Sequence, residues 1–175
     1  MDKEGPVERV AADGAAASRD APLRLEEFLP YRLNVVATLV SQALSRIYVE
    51  RYAIGVPEWR VLVTLGQYGV MTAKAIGAHS HMHKTKVSRA VAVLERRKLV
   101  ARKCNNADLR ESLLSLTAAG RAMYEELAPI ALEFSRKLTG VLSAAEHQAL
   151  DHAIDLLISR SSALAREDPP RRGRG

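Results

Sequence analysis

The stretch His81–Val100, HMHKTKVSRAVAVLERRKLV, decides how the rest of the chain is read. Its second half carries Val87, Ala90, Val91 and Leu94, whose spacing puts them on one face of a helix. Its first half sets His83, Lys84, Thr85, Lys86, Ser88 and Arg89 on the opening turns of that helix. A helix start already carries partial positive charge, so cations there are mildly unfavourable. An anion from outside the fold offsets that cost.

The charge around this helix is local. The chain carries +6 overall, but Thr72–Glu111 alone holds ten basic and three acidic residues, leaving −1 for the remainder. An excess confined to one segment points to a polyanion-binding surface, where a merely solvated face would spread its charge. At 47% hydrophobic and 5% aromatic, the 175 residues bury a real core and favour helices over a sandwich. The opening MDKEGPVERV lacks the apolar run of a secretory signal, and the longest uncharged stretches, such as Val61–Ala73, are too short to cross a membrane. With a single cysteine, Cys104, the expectation is a soluble cytoplasmic protein with no internal disulfide.

Working outward, residues 1–21 read as a disordered arm and 168–175, DPPRRGRG, as a flexible basic tail. A long first helix is traced by Leu25, Phe28, Leu29, Arg32, Val36, Leu39, Ala43 and Ile47, ending near Ala53 with Gly55 as its left-handed stop. Pro57 opens a second helix whose buried side is Trp59, Leu62, Val63 and Leu65, halted by Gly66 and Gly69. Thr72 caps a short third helix, and the fourth runs from about His83 to Lys98. LVARKC and ESLLSL then form a β-hairpin around the polar loop NNADLR. Thr117 caps a fifth helix (Met123, Leu127, Ile130, Phe134, Leu138, Val141) that Pro129 kinks without ending. Ser143 and Glu146 form a capping box for a sixth, with a stripe of Leu150, Ile154, Leu157, Ser161 and Leu164.

Short helix, tight turn, second helix, hairpin is the order of a winged helix-turn-helix, which leaves the second helix's start free to enter a DNA major groove. The fold expected is mainly α with a small β-hairpin wing (α+β): a winged helix-turn-helix domain plus a helical dimerisation domain. Residues 56–116 make the first; 22–55 and 117–167 make the second. Duplex DNA supplies the missing anion. Thr85 and Ser88 can approach base edges, Lys86 and Arg89 can reach guanine O6 and N7, and Thr72, His83, Lys84 and Lys103 join them on the DNA side. In the wing, Asn105, Asn106 and Arg110 face the minor groove, with Asp108 orienting Arg110. A surface hairpin with one local ion pair is the plainer alternative for the wing.

From Phe28 to Arg121 the chain resembles the MarR family of bacterial transcriptional regulators, through FLPYRLN, PEWRVL, HKTKVSRAVAVLE and ADLRESLLSLTAAGR. The family's usual Asp-Arg-Arg wing is here Asp108-Leu109-Arg110, and His83 stands where Asp is frequent. The resemblance implies a homodimer, and the apolar stripes at both chain ends exceed what the central domain can cover; an intramolecular helical hairpin burying the same stripes is the rival. A two-fold pair would set two reading helices about 34 Å apart on a palindromic operator. It also implies a regulator, expected to be a repressor, that a small molecule releases from DNA. The candidate effector residues are Tyr31, Arg32, Asn34, Trp59 and Arg60, where the first helix is expected to face the second. Arginine beside aromatic rings suits an aromatic carboxylate or an aromatic acyl-CoA thioester, and PYRLN with PEWR is similar to hydroxycinnamate-responsive members.

Other classes are weaker. His79, His81 and His83 put three imidazoles, possible zinc ligands, at alternate positions, but two-residue spacing makes side chains diverge, so a polar turn is the better account and no metal is expected. Cys104 beside Arg102 and Lys103 reads as a packed strand residue before a redox sensor. No phosphate loop, nucleophile elbow or paired His/acid spacing supports an enzyme, so neither catalytic residue nor cofactor is expected. A helical interaction module that ignores nucleic acid leaves the basic segment unexplained.

Overall fold

The structure, a computed structural model, describes residues 22–104 and 111–167. In chain order its elements are α1 (Leu29–Tyr52), α2 (Val56–Tyr68), β1 (Met71–Thr72), α3 (Ala73–Ser80), α4 (Lys84–Arg96), β2 (Val100–Cys104), β3 (Ser112–Leu116), α5 (Ala118–Thr139) and α6 (Ala144–Leu164). The fold is mainly helical with a small antiparallel sheet. The chain divides into two units, up to Val40 and from Ser41.

In the first unit α1 starts later than its stripe implied. Leu25 lies in a turn, in which the Glu27 and Phe28 N–H groups both donate to the Arg24 carbonyl, at 3.1 and 3.0 Å. Pro30 lacks the N–H that would carry a helix back onto Glu26, so the helix opens at Leu29. Leu25, Phe28, Leu29, Val36 and Leu39 are exposed.

In the second unit α2 is the wall between two cores. Val61 and Leu65 pack with Met71, Ile76, Val87, Val91, Leu94 and Leu114. Trp59 and Leu62 pack with Tyr48, Ile54 and Leu127. A helix covered on two sides keeps only a narrow solvent edge, which includes Arg60 and Gln67, and so Val61 and Thr64, absent from the expected buried side, are buried while Val63 is half-buried. The Thr64 hydroxyl donates to the Arg60 carbonyl at 2.7 Å, which satisfies it inside the core.

Glycine roles differ from those expected. The left-handed residue ending α1 is Ala53 (φ 49°), not Gly55. Gly55 has φ −88° and begins α2 as its N-cap, its N–H donating to the Glu58 carboxylate at 3.0 Å. Gly66 lies inside α2 because α5 needs the space: a Cβ there would sit 2.4 Å from the Tyr124 ring. Gly69, with φ 79°, is the terminator.

The hairpin acquires a third strand. β2 and β3 pair antiparallel from Val100↔Leu116 to Cys104↔Ser112, and β1 adds Met71↔Leu114 and Thr72↔Leu113 on the other side of β3. Two residues are too few to show an alternating pattern. At the other end α4 stops at Arg96, short of Lys98. The Lys98 and Leu99 N–H groups turn back onto the Glu95 and Leu94 carbonyls, both at 2.9 Å, with Lys98 left-handed at φ 57°.

α5 begins where expected: the Thr117 hydroxyl accepts from Gly120 N–H at 3.1 Å and donates to the Lys98 carbonyl at 2.7 Å. Pro129 lies within the helix, which continues past it. Of its stripe, Leu127 is buried, Leu138 is exposed, and Val141 falls beyond the helix end. The Ser143–Glu146 capping box opens α6, which has no buried residue at all. Residues 1–21 and 168–175, read as an arm and a tail, lie outside the described residues.

Candidate nucleic-acid interface

The two faces of α4 separate by chemistry. Val87, Ala90, Val91 and Leu94 are buried against α2 and the sheet, which fixes the helix's rotation. Lys84, Thr85, Lys86, Ser88 and Arg89 are all exposed. No acid stands in the first turn, and the N-cap is His83, whose Nδ1 accepts from the Thr85 N–H at a long 3.4 Å. The helix start is thus cationic and only weakly capped from within.

Thr72 caps α3, accepting from Ala75 N–H at 3.2 Å, with Lys74 exposed beside it. Lys103 and Cys104 are exposed at the far end of β2. The wing-tip candidates Asn105, Asn106, Asp108 and Arg110 lie outside the described residues.

The basic segment is not uniformly available. The Arg97 guanidinium donates to the Ala53 and Tyr52 carbonyls at 3.0 and 2.7 Å, holding the end of α4 to the end of α1. Arg102 donates twice to the Glu95 carboxylate, at 2.9 and 3.1 Å, and this hydrogen bonding pushes its pKa up. These two cations serve the fold. Neither pairing leaves a local signal in the sequence, because Arg97 reaches back to a different helix and Arg102 across from strand to helix.

A cleft of about 700 Å³ opens between the first turns of α2 and the outer side of α4. Arg60, Lys86 and Arg89 line it, with Glu58, His81 and His83. Sequence reading placed Arg60 with the effector residues and Lys86 with the DNA residues; the structure brings them to one concavity.

The other effector candidates divide. Trp59 is buried and stacked on Tyr48, with ring centroids 5.2 Å apart and planes 13° from parallel. Burial raises the Tyr48 phenol pKa, opposed by the nearby Arg60 charge. Tyr31, Arg32 and Asn34 are exposed on the N-terminal half of α1. Of the three histidines, His79 lies against the Tyr68 ring at 4.3 Å, His81 is the left-handed residue after α3, and His83 caps α4. Among the described residues no group of three His, Cys, Asp or Glu could hold a metal, and no helix is long and apolar enough to cross a membrane.

The α3–turn–α4 unit backed by a three-stranded wing defines a winged helix-turn-helix DNA-binding protein. Residues 54–112 match the MarR family. Over 132 residues the chain is 26% identical to YwoH, an HTH-type transcriptional regulator of Bacillus subtilis, covering 75% of this chain and 95% of YwoH. The crystal structure of a MarR/EmrR family regulator from Acinetobacter sp. ADP1 matches with a TM-score of 0.74 at 23% identity, covering 81% of this chain and 99% of that one. The S. aureus MepR–DNA complex matches with a TM-score of 0.68 at 23% identity, over 76% and 98%. Over this central segment the chain is thus similar to the MarR family, and the relatives it resembles are transcriptional regulators rather than enzymes.

Proposed function

We propose that the protein acts in the cytoplasm as a homodimeric repressor on a palindromic operator and is released by an aromatic carboxylate or an aromatic acyl-CoA thioester. The observation that carries the DNA half is the outward face of α4, cationic and polar over an apolar face that is buried. In this reading Thr85, Ser88, Lys86 and Arg89 meet base edges in the major groove. Thr72, His83, Lys84 and Lys103 meet phosphates, and Asn105, Asn106, Asp108 and Arg110 form the minor-groove contact.

Support for the dimer comes from α6, a 21-residue helix with no buried residue, in which Leu150, Ile154, Leu156, Ile158 and Leu164 are exposed. Apolar surface on this scale, left uncovered by its own chain, fits a second copy. Residues 22–55 and 117–167 form the dimerisation region in this reading, and 56–116 the DNA-binding domain. The effector contacts proposed are Tyr31, Arg32 and Asn34, an exposed ring, cation and amide on one turn of α1. Trp59 offers at most a ring edge.

The test begins with recovery of bound genomic fragments by the purified protein, followed by gel shifts on the recovered site. The expected result is tight binding to an inverted repeat, weak binding to a single half-site, and release by one member of a panel of hydroxycinnamates and their CoA esters. Equal affinity for whole and half sites would end the palindrome reading. Indifference to the whole panel would end the effector reading and leave DNA binding standing.

A further inference from the structure

The cleft between α2 and α4 has a size that both a small effector and a length of DNA backbone could use, so its lining must decide. Six of its ten lining residues are ionisable, and none is Phe, Tyr or Trp. Small-molecule pockets are commonly walled by aromatic rings with few charged groups, whereas this surface has no ring of that kind and many charges. Its acid, Glu58, is turned back onto the start of α2, where its carboxylate accepts from the Gly55 N–H at 3.0 Å. Arg60, Lys86 and Arg89 are all exposed, and no carboxylate pairs with any of them among the described residues. Lys86 and Arg89 continue directly onto the outer face of α4.

We propose that this cleft is a second DNA-contacting surface, in which Arg60 of α2 holds a backbone phosphate flanking the bases that α4 reads. The proposal rests on α4 being the reading helix. It moves Arg60 from the effector group to the DNA footprint and gives α2 a role in binding besides its role in the core. A phosphate contact carries no base information, so Arg60 contributes equally on any sequence. It also releases counterions, so its loss changes the salt dependence.

The experiment measures affinity against KCl concentration by fluorescence anisotropy, using the full chain on the recovered operator and on a random-sequence duplex. Wild type, Arg60→Ala, Arg60→Lys and the control Arg46→Ala are compared, each with its melting temperature. Arg60→Ala is expected to weaken both duplexes by the same factor and make the log–log salt slope shallower by about 0.9. Arg60→Lys restores the slope, since a point charge serves a phosphate; Arg46→Ala leaves it unchanged. A second arm compares the melting temperatures of wild type and Arg60→Ala in inorganic phosphate and in chloride of equal ionic strength. No phosphate-specific stabilisation is expected, because the duplex and not a free anion is the occupant. An unchanged slope in Arg60→Ala overturns the proposal, as does stabilisation of wild type alone by free phosphate. Loss of operator preference with an unchanged slope also overturns it, by making Arg60 a base contact. Failure of wild type to bind either duplex would instead sink the reading of α4.

Discussion

α4 and α6 are both amphipathic helices with a face left open to solvent, yet the faces are opposite in kind. α4 buries Val87, Ala90, Val91 and Leu94 within its own chain and shows water Lys84, Lys86, Ser88 and Arg89. α6 has no fully buried residue and shows water Leu156 at 57% and Ile158 at 56% exposure. A cationic face is stable in water and gains from an anion; an apolar face is costly in water and gains from any cover. One chain thus carries two unfinished surfaces, one chemically suited to a polyanion and the other to another apolar helix.

The hardest blow to that contrast is a charge on the apolar side. Ile154→Glu is expected to convert a dimer to monomers in analytical ultracentrifugation, since an unpaired carboxylate buried in an interface costs about 3–5 kcal/mol. The monomer should stay folded, because Ile154 is exposed within its own chain. A surviving dimer would mean that this part of α6 faces solvent in the assembly.

Next in size is the base of the wing. A Cβ on Gly120 would lie 2.0 Å from the Leu99 carbonyl oxygen, where backbone cannot yield easily. Gly120→Ala is expected to cost about 3 kcal/mol in urea unfolding. A loss below about 0.5 kcal/mol would show that the α5–β2 junction relaxes freely.

A smaller change sharpens the cationic side. Arg89→Ala should cost about 1–3 kcal/mol of discrimination between operator and unrelated duplex. Lys103→Ala should weaken both alike. Full operator preference in Arg89→Ala would put the wrong residues of α4 against the bases.

The smallest effect lies at the helix starts. Hydrogen bonds from the Ser143 hydroxyl and then its N–H hold the Glu146 carboxyl below the ordinary carboxylate range. A depressed pKa in the folded state means that the cap is complete above the unfolded-state value and is lost as pH falls through the folded one. Amide exchange at the start of α6 should therefore rise in acid, and Glu146→Gln should remove that step. α4, with no acid in its first turn, has no such carboxylate to lose. Acid-independent exchange at α6 would show that the box contributes nothing in solution.

Local features were legible because their partners are near in sequence. Thr72, Thr117 and Ser143 were readable as caps since each hydroxyl meets an N–H three residues on. The buried face of α4 was readable from its spacing alone, and with it the helix most exposed to a polyanion. Gly55 misled because a glycine between two helices can end one or begin the other, and only the path of the chain from Ala53 to Val56 chooses. β1 was invisible at two residues, and its pairing with β3 joins segments more than forty positions apart.

The amino-acid sequence by itself determined the register of α4, the hydroxyl caps at Thr72, Thr117 and Ser143, the concentration of positive charge around α4 and the apolar content of α6, all of which follow from interactions within a turn or two. Tertiary structure decided how those cations are divided. Arg97 closes the carbonyls that end α1, Arg102 answers Glu95, and Arg60 is brought beside Lys86 and Arg89. A charge has the same sign wherever it stands in a sequence, but whether it meets a carbonyl, a carboxylate or open water depends on segments that only folding brings together.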